Sequence, residues 1–266
     1  MNSAIIIPAR FGSTRFPGKP LQMIAGKTLL HHVCEVALQA AKTVENCVVC
    51  VATDDERILK HAKDLGVHAV MTPVECPTGS DRVLAAALQL DPMPDCVVNL
   101  QGDAPLTPPI VLVKLLQALQ QDITADVVTP AVKLTWQDLQ QVQQNKQTTP
   151  FSGTTVTFNS QTHRAYWFSK NIIPAIRKPN KEEVYSPVHQ HLGVYGYRLT
   201  ALQAYVDLQQ SYYEQCESLE QLRFLENGYH IRIVPLELPT GGSMSGVDTP
   251  EDAKRVEAVI LQRNKG

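Results

Sequence analysis

Apolar residues fall into short runs that alternate with longer amphipathic segments over the first half of this chain. Ala4–Pro8 is a continuous apolar run bounded by a glycine-containing loop, the pattern of a buried strand. Lys27–Lys42 carries Leu29, Leu30, Val33, Val36 and Ala37 at helical spacing. Cys47–Ala52 is a short β-branched run, Asp55–Leu65 reads as a helix that stops at Gly66, and Val67–Met71 reads as a strand. Thr78-Gly79-Ser80 is a turn signal in front of a helix over Asp81–Leu90. Cys96–Leu100 is a further apolar strand, followed by a helix over Pro108–Gln120 that opens on prolines. Repeated strand–helix units predict an α/β chain with parallel strands and helices on both faces. Ligands in such sheets bind beyond the carboxyl ends of the strands, so the loops after Ile7, Thr53, Met71 and Leu100 are the places to search.

After residue 125 the pattern changes. Val127–Val132 reads as a strand and Thr135–Gln144 as a polar helix, with Gln143–Thr149 polar and exposed. Thr154–Phe158 and Ala165–Phe168 read as strands, and Ile172–Tyr185, rich in Pro, Lys and Glu, as a mobile surface loop. His191–Arg198 alternates as one strand would, placing His191, Gly193, Tyr195 and Tyr197 on one face. Leu219–Glu226 is helical, Ile231–Leu236 a strand and Pro250–Gln262 a closing helix.

Composition narrows the classes. Of 266 residues, 44% are hydrophobic and 19% charged, which allows a sizeable core and argues against disorder. The net charge of -2 argues against nucleic-acid binding, which needs a basic excess to meet phosphates. No apolar run approaches the ~20 residues that span a bilayer. The first residues lack the basic region of a secretory signal, so a cytoplasmic location without membrane insertion is expected. Cys47 and Cys50 have metal-like spacing, but residues three apart in a strand point to opposite faces. They are read as buried free thiols, which suits a reducing compartment.

Several constellations carry chemistry. The loop Pro8 to Leu21, PARFGSTRFPGKPL, places Arg10, Arg15 and Lys19 among glycines and hydroxyls directly after the first strand. Glycines let backbone N–H groups approach phosphate oxygens, arginine offers a fork and lysine a point charge, which together equip the loop for a triphosphate. It is neither a Walker A loop nor a GxGxxG turn. Asn99-Leu100-Gln101-Gly102-Asp103 ends a central strand, where the Asp103 carboxylate suits Mg²⁺ bridging phosphates. In Gly246-Val247-Asp248-Thr249-Pro250, Asp248 precedes a helix capped by Thr249 and is a candidate second metal ligand. The Thr78–Arg82 turn offers N–H groups and Ser80 to a base or ribose, and Arg82 to an anion.

Together these stretches resemble the 3-deoxy-manno-octulosonate cytidylyltransferases, the CMP-Kdo synthetases. The matching motifs are PARFGSTRFPGKPL, VATDDERI, NLQGDAP, HLGVYGYR, SLEQLR and GVDTPEDAKRV, in the family's order over nearly the whole chain. The resemblance implies a Rossmann-like nucleotidyltransferase fold with a mostly parallel sheet and a smaller sugar-binding and dimerisation insert. It implies a nucleotide-binding half over about 1–125, a sugar-binding and dimerisation part over about 126–240, and a metal-binding loop with the closing helix over 241–266. It further implies a homodimer that uses CTP, Mg²⁺ and a 2-keto-3-deoxy sugar acid. Carried over residue by residue, Pro8, Ala9, Arg10, Ser13 and Lys19 bind the nucleotide, with Arg15 beside the triphosphate. Ser80 and Gln101 help place cytidine or sugar, Asp103 and Asp248 hold Mg²⁺, and Arg82, Gln101, His191, Tyr195, Glu220 and Gln221 face the sugar acid. Arg10, Arg15, Lys19 and Asp103 would be catalytic.

This chain departs from the family pattern at three places. Ala104 stands where Glu is usual, Lys170 where Arg is usual, and Pro150–Val156 replaces an Asn-Pro-Asn-x-Val-Lys segment. Two of the three touch the sugar side. Two alternatives therefore stand beside a Kdo-activating enzyme: the same chemistry on another acidic sugar (8-amino-Kdo or a sialic-type acid), and a nucleotide-binding relative without catalysis.

Overall fold

The computed structural model describes residues 1–12, 16–237 and 246–263. The chain divides into two compact units, Met1–Gln117 with Ser243–Gly266, and Ala118–Gly242. The first opens on β1 (Ser3–Ala9), in which Ile5, Ile6 and Ile7 are fully buried, as expected of a central parallel strand covered on both faces. A 3-10 turn, Lys19–Leu21, leads to a two-residue hairpin of β2 (Met23–Ile24) and β3 (Lys27–Thr28), turning through Ala25 and Gly26 at φ 49° and 82°. Thr28 then caps α1 (Leu29–Ala41) by accepting the His31 amide. Next come β4 (Cys47–Thr53), α2 (Glu56–Asp64), β5 (His68–Met71), α3 (Gly79–Ala87), β6 (Cys96–Asn99) and α4 (Pro109–Gln121). The strands lie in the order β5-β4-β1-β6, all parallel. Thr78-Gly79-Ser80 is not a free turn. Thr78 and Asp81 form a reciprocal capping box, so the helix begins at Gly79, two residues earlier than the apolar periodicity indicates.

The second unit contains β7 (Val127–Thr135), α5 (Trp136–Thr148), β8 (Thr154–Phe158), β9 (Ala165–Ser169), β10 (Tyr185–His191), β11 (Tyr195–Arg198), α6 (Leu199–Asp207), α7 (Tyr212–Glu217), α8 (Gln221–Glu226) and β12 (Ile231–Leu236). β7 is its axis: β12 runs parallel along one edge, and β10 and β11 run antiparallel to it. β8 continues from β10 and β9 from β8, both antiparallel. The polar stretch 143–148 is the exposed last part of α5, which starts behind a Thr135–Asp138 capping box and runs four residues past the expected Gln144 to Thr148.

His191–Arg198 is two strands, which corrects the single-strand expectation. His191 pairs with Ala131 and Gly196 with Val128, so four residues (192–195) face two on β7 (129 and 130). The two extra residues form a bulge. An even insertion preserves the side-chain alternation, so His191, Tyr195 and Tyr197 still share a face, with ring centroids 5.5 and 5.9 Å apart in sequence. The bulge is fastened by the Thr129 hydroxyl, which donates to the Val194 carbonyl at 2.9 Å and lies 2.8 Å from His191 Nε2. With its one proton on a carbonyl, the hydroxyl accepts from His191 in the tautomer protonated at Nε2.

The chain then returns to the first unit as α9 (Pro250–Arg263). Val247 and Val256 are buried with Ile24, Leu29 and Leu106, and Glu257 accepts the Ala25 amide at 2.7 Å. Among the described residues, no helix is long and apolar enough to cross a membrane.

Replacing Thr129 by Val keeps the shape and removes the fastening. We expect Thr129→Val to cost about 1–3 kcal/mol of stability, since it strands a buried carbonyl and an imidazole N–H. Denaturant titration of Thr129→Val beside Thr129→Ser checks this; equal midpoints would show that the hydroxyl holds nothing.

Candidate active site

The loop after β1 is shaped by its own closure. The Gly18 N–H donates to the Phe11 carbonyl at 3.1 Å, and Gly18 has φ +67°. A Cβ at Gly18 would come within 3.1 Å of the Phe11 ring, so both the conformation and the packing require glycine. The closure delivers Lys19 to the first position of its 3-10 turn, where its ammonium meets two carboxylates: Asp103 Oδ2 at 2.7 Å and Asp248 Oδ1 at 3.3 Å. Arg10 is exposed and has no hydrogen-bond or ion-pair partner among the described residues. Ser13 and Arg15 lie outside the described residues.

Two glycines bring the carboxylates in. A Cβ at Gly102 would sit 2.6 Å from the Pro8 carbonyl oxygen, a distance no side chain tolerates. Glycine there lets the loop after β6 press against the end of β1 and aims Gln101 and Asp103. A Cβ at Gly246 would lie 3.2 Å from Asp103 Oδ1, and the Val247 N–H donates to the Asp103 carbonyl at 2.9 Å. Asp248 follows directly. Its own amide and that of Thr249 are accepted by Asp252, while the Asp252 amide is accepted by the Thr249 hydroxyl. Asp252 therefore fixes the helix entry, and Asp248 is left to face Lys19.

The opposite wall is the start of α3. Gly79 lies near Gln101, whose amide donates to the Asn99 side-chain oxygen at 3.4 Å. Arg82 is 3% exposed and spans from the helix to Thr72 Oγ1 at 2.5 Å and Asp54 Oδ2 at 2.7 Å. Ser80 is buried in the same turn. Pro8, Ala9, Arg10, Gly12, Lys19, Gly79, Arg82, Gln101, Asp103 and Asp248 line one cavity of about 370 Å³, with Cys76 and Thr78 at its wall. This gathers the loops after β1, β5 and β6, three of the four flagged by the strand pattern. The fourth, after β4, contributes Asp54 behind Arg82. Asp54, Thr72, Cys76 and Gly246 were not given roles from sequence; Asp54, Thr72 and Cys76 fall in flagged loops and Gly246 in a quoted motif, so each had a positional signal but none of role.

In the second unit, His191, Tyr195, Glu220 and Gln221 come together. Tyr195 donates its hydroxyl to Gln221 Oε1 at 2.9 Å, and Gln221 Nε2 is buried with no hydrogen-bond partner among the described residues. Glu220 precedes α8 and acts electrostatically on Tyr195, whose pKa is raised first by burial and then by that charge. Burial drives the His191 pKa down to about 3, and the Lys170 ammonium pushes the same way. His191 is therefore a neutral imidazole at neutral pH. The Lys170 amide is tied to Glu217 at 2.7 Å, and its carbonyl accepts the Lys146 ammonium at 2.6 Å. Lys146 also donates to the Pro150 and Ser152 carbonyls, so two of the three departures from the family pattern meet at one lysine.

The two carboxylates carry one charge more than Lys19 cancels, and their oxygens are the hard donors that Mg²⁺ prefers, one or two per ion with phosphates completing the shell. Among the described residues no third His, Cys, Asp or Glu joins them in a metal-binding group. The two carboxylates are thus donors of the kind Mg²⁺ accepts.

Comparison with known proteins identifies relatives over nearly the whole chain. Residues 4–233 match the family model described as cytidylyltransferase. The chain is 45% identical over 260 residues to the 3-deoxy-manno-octulosonate cytidylyltransferase of Maricaulis maris, covering 98% of this chain and 97% of that one. It is 40% identical to the protein of the same name from Anaeromyxobacter dehalogenans, covering 97% of each. Among solved structures, a CMP:2-keto-3-deoxy-manno-octonic acid synthetase in complex with CTP superposes with TM-score 0.83 at 35% identity, covering 99% of this chain and 100% of that one.

The neutral state of His191 has a consequence for acid stability. An unfolded histidine protonates near pH 6.5, whereas this one stays neutral to about 3, so between those values the unfolded state binds a proton that the native state lacks. The group's contribution is whole above pH 6.5 and falls as pH drops; by pH 5 about 2 kcal/mol is lost. His191→Gln removes the titration and should flatten the loss of stability between pH 7 and pH 5. Urea midpoints at both pH values for the two proteins decide it; parallel losses would mean that other groups govern acid unfolding.

Proposed function

The chain belongs to the 3-deoxy-manno-octulosonate cytidylyltransferases, and from this premise we propose that it activates a Kdo-type sugar acid with CTP, giving the CMP-sugar and pyrophosphate for lipopolysaccharide or capsule synthesis. The observation that carries the reading is the meeting of Lys19, Asp103 and Asp248 in a cavity that Arg10 and the start of α3 also line. The anomeric oxygen of the sugar attacks the α-phosphorus of CTP, the bond from that phosphorus to the bridging oxygen breaks, and pyrophosphate departs with the electron pair. The hydroxyl proton passes to solvent, and no covalent enzyme intermediate is formed.

The protein's part is positioning and charge neutralisation. Arg10 and Lys19, with Arg15 and Ser13 of the same loop, hold the triphosphate; Pro8 and Ala9 offer backbone to it. Ser80 and Gln101 orient the nucleoside. Arg82, already committed to Asp54 and Thr72, acts by keeping the α3 entry in place against the base or sugar. Asp103 and Asp248 would hold Mg²⁺, which when bound neutralises phosphate oxygens and lowers the pKa of a coordinated hydroxyl. On the sugar side, the neutral His191, Tyr195 and the buried amide of Gln221 suit hydroxyls, Glu220 adds an acceptor, and Lys170 supplies positive charge for the acid group. Retention of Lys19, Asp103 and Asp248 speaks against an idle nucleotide binder. A cytoplasmic homodimer, as the family resemblance implies, completes the reading.

A pyrophosphate-release assay with CTP and Mg²⁺ tests it, with Kdo, 8-amino-Kdo and a sialic-type acid offered in turn. Release with Kdo is expected; silence with every 2-keto-3-deoxy acid would sink the enzyme reading. Asp103→Asn should lower turnover more than about 100-fold while the circular dichroism spectrum and thermal midpoint stay close to the parent's. Near-normal turnover would remove the metal assignment.

A further inference from the structure

Arg10 and Gly12 line the cavity, and Phe11 between them does not. The tip of the Phe11 ring packs on Gly18, and the Phe11 carbonyl accepts the Gly18 amide, so Phe11 is joined to Gly18 at both backbone and side-chain level. The face of the ring is covered from another element. The Arg57 guanidinium carbon, on the first turn of α2, lies 3.4 Å from the ring centroid. Its plane is fixed by a fork to Asp55, Nε to Oδ1 at 2.9 Å and the terminal nitrogen to Oδ2 at 2.6 Å. Asp55 is itself held as the N-cap of α2 by the Arg57 amide. Arg57 is thus paired, does not line the cavity, and presents a flat, oriented surface to Phe11 rather than a free charge to an anion.

We propose that Arg57 is a positioning residue for the triphosphate loop. By covering Phe11 it holds the 11–18 closure, and the closure sets the spacing between Arg10 and Lys19 that a triphosphate must meet. The α2 N-terminus, remote in sequence from the loop, becomes part of the determinant of CTP affinity. The inference rests on the reading of this cavity as the CTP site.

The test is CTP binding in the presence of Mg²⁺ by calorimetry, together with steady-state kinetics, for the parent, Arg57→Ala, Arg57→Lys and Asp55→Asn. Arg57→Ala should weaken CTP binding and raise its KM by roughly two- to fivefold, the range of an exposed cation–π contact, with KM shifting more than kcat and the sugar-acid KM unmoved. Arg57→Lys should behave like Arg57→Ala, because lysine carries the charge without the plane. Asp55→Asn keeps the cap and loosens the fork, and should shift CTP affinity less, in the same direction. The shift should persist when salt is raised, since it is not charge steering. CTP affinity unchanged in Arg57→Ala, or restored to the parent's value in Arg57→Lys, would overturn the proposal. A parent protein that binds no CTP would instead overturn the assignment of the cavity.

Discussion

A single ammonium draws together three segments far apart in the chain. Lys19 comes from the loop after the first strand, Asp103 from the loop after β6 and Asp248 from the entry to the last helix, and their charged atoms lie within 3.3 Å of one another in pairs through Lys19. The contact depends on absent side chains as much as on present ones. Gly102 allows its loop to lie on the Pro8 carbonyl, Gly246 allows the last segment to lie on Asp103, and Gly18 allows the lysine's turn to form over Phe11. A Cβ at Gly102 would force its loop off Pro8, and one at Gly246 or Gly18 would press on Asp103 or on the Phe11 ring.

The ion pairs do not hold this arrangement up by themselves. The Asp248 side chain is 54% exposed, and a pair so open to water adds little to stability. What fixes Asp248 is its neighbours. Val247 is buried in the cluster of Ile24, Leu29, Leu106 and Val256, its amide is bonded to Asp103, and Glu257 fastens the same helix to the Ala25 turn. Packing and backbone hydrogen bonds set the geometry, and the charges are left available for a ligand. That division suits a site whose work is to receive a more highly charged partner.

The parts of this design that were legible in the sequence are those with a local signature. The buried strands announced themselves as β-branched runs, β12 to its residue limits, and the first loop by its density of cations and glycines. The helices α6 and α7 were not picked out: α7 is only six residues long, and the Leu199, Leu202 and Tyr205 stripe of α6 spans only nine. The start of α3 was misplaced because Thr78, Gly79 and Ser80 satisfy turn preferences and helix-entry preferences equally, and only the reciprocal bond to Asp81 decides. The bulge before Tyr195 was invisible because two extra residues preserve the alternation that a strand reading relies on. At the site, carboxylates and lysines could be picked out by type. The commitment of Arg82 to Asp54 and Thr72, the press of Gly102 on Pro8 and the cover of Arg57 on Phe11 are contacts across sequence distance, for which a single sequence carries no periodicity or motif.

The two units use different physics for recognition. The first offers charges and loop backbone around one cavity, the surface on which the proposed nucleotide site rests. The second offers a buried file of rings, Phe168, His191, Tyr195 and Tyr197, with the imidazole held neutral and one amide group of Gln221 unbonded among the described residues. Neutral donors and acceptors in a low-dielectric setting discriminate by which hydrogen bonds are left unmade, a sharper test than charge. The formal charge near them comes from Lys170 and Glu220. Lys170 sits on a strand end whose carbonyl is clasped by Lys146 together with the Pro150–Ser152 turn, so the two departures from the family pattern form one structural unit beside one neutral cluster. A lysine there presents a point charge rather than a fork, and its backbone is held at both the amide and the carbonyl. On the proposed reading, this corner of the second unit faces the sugar acid and the cavity of the first unit faces the nucleotide.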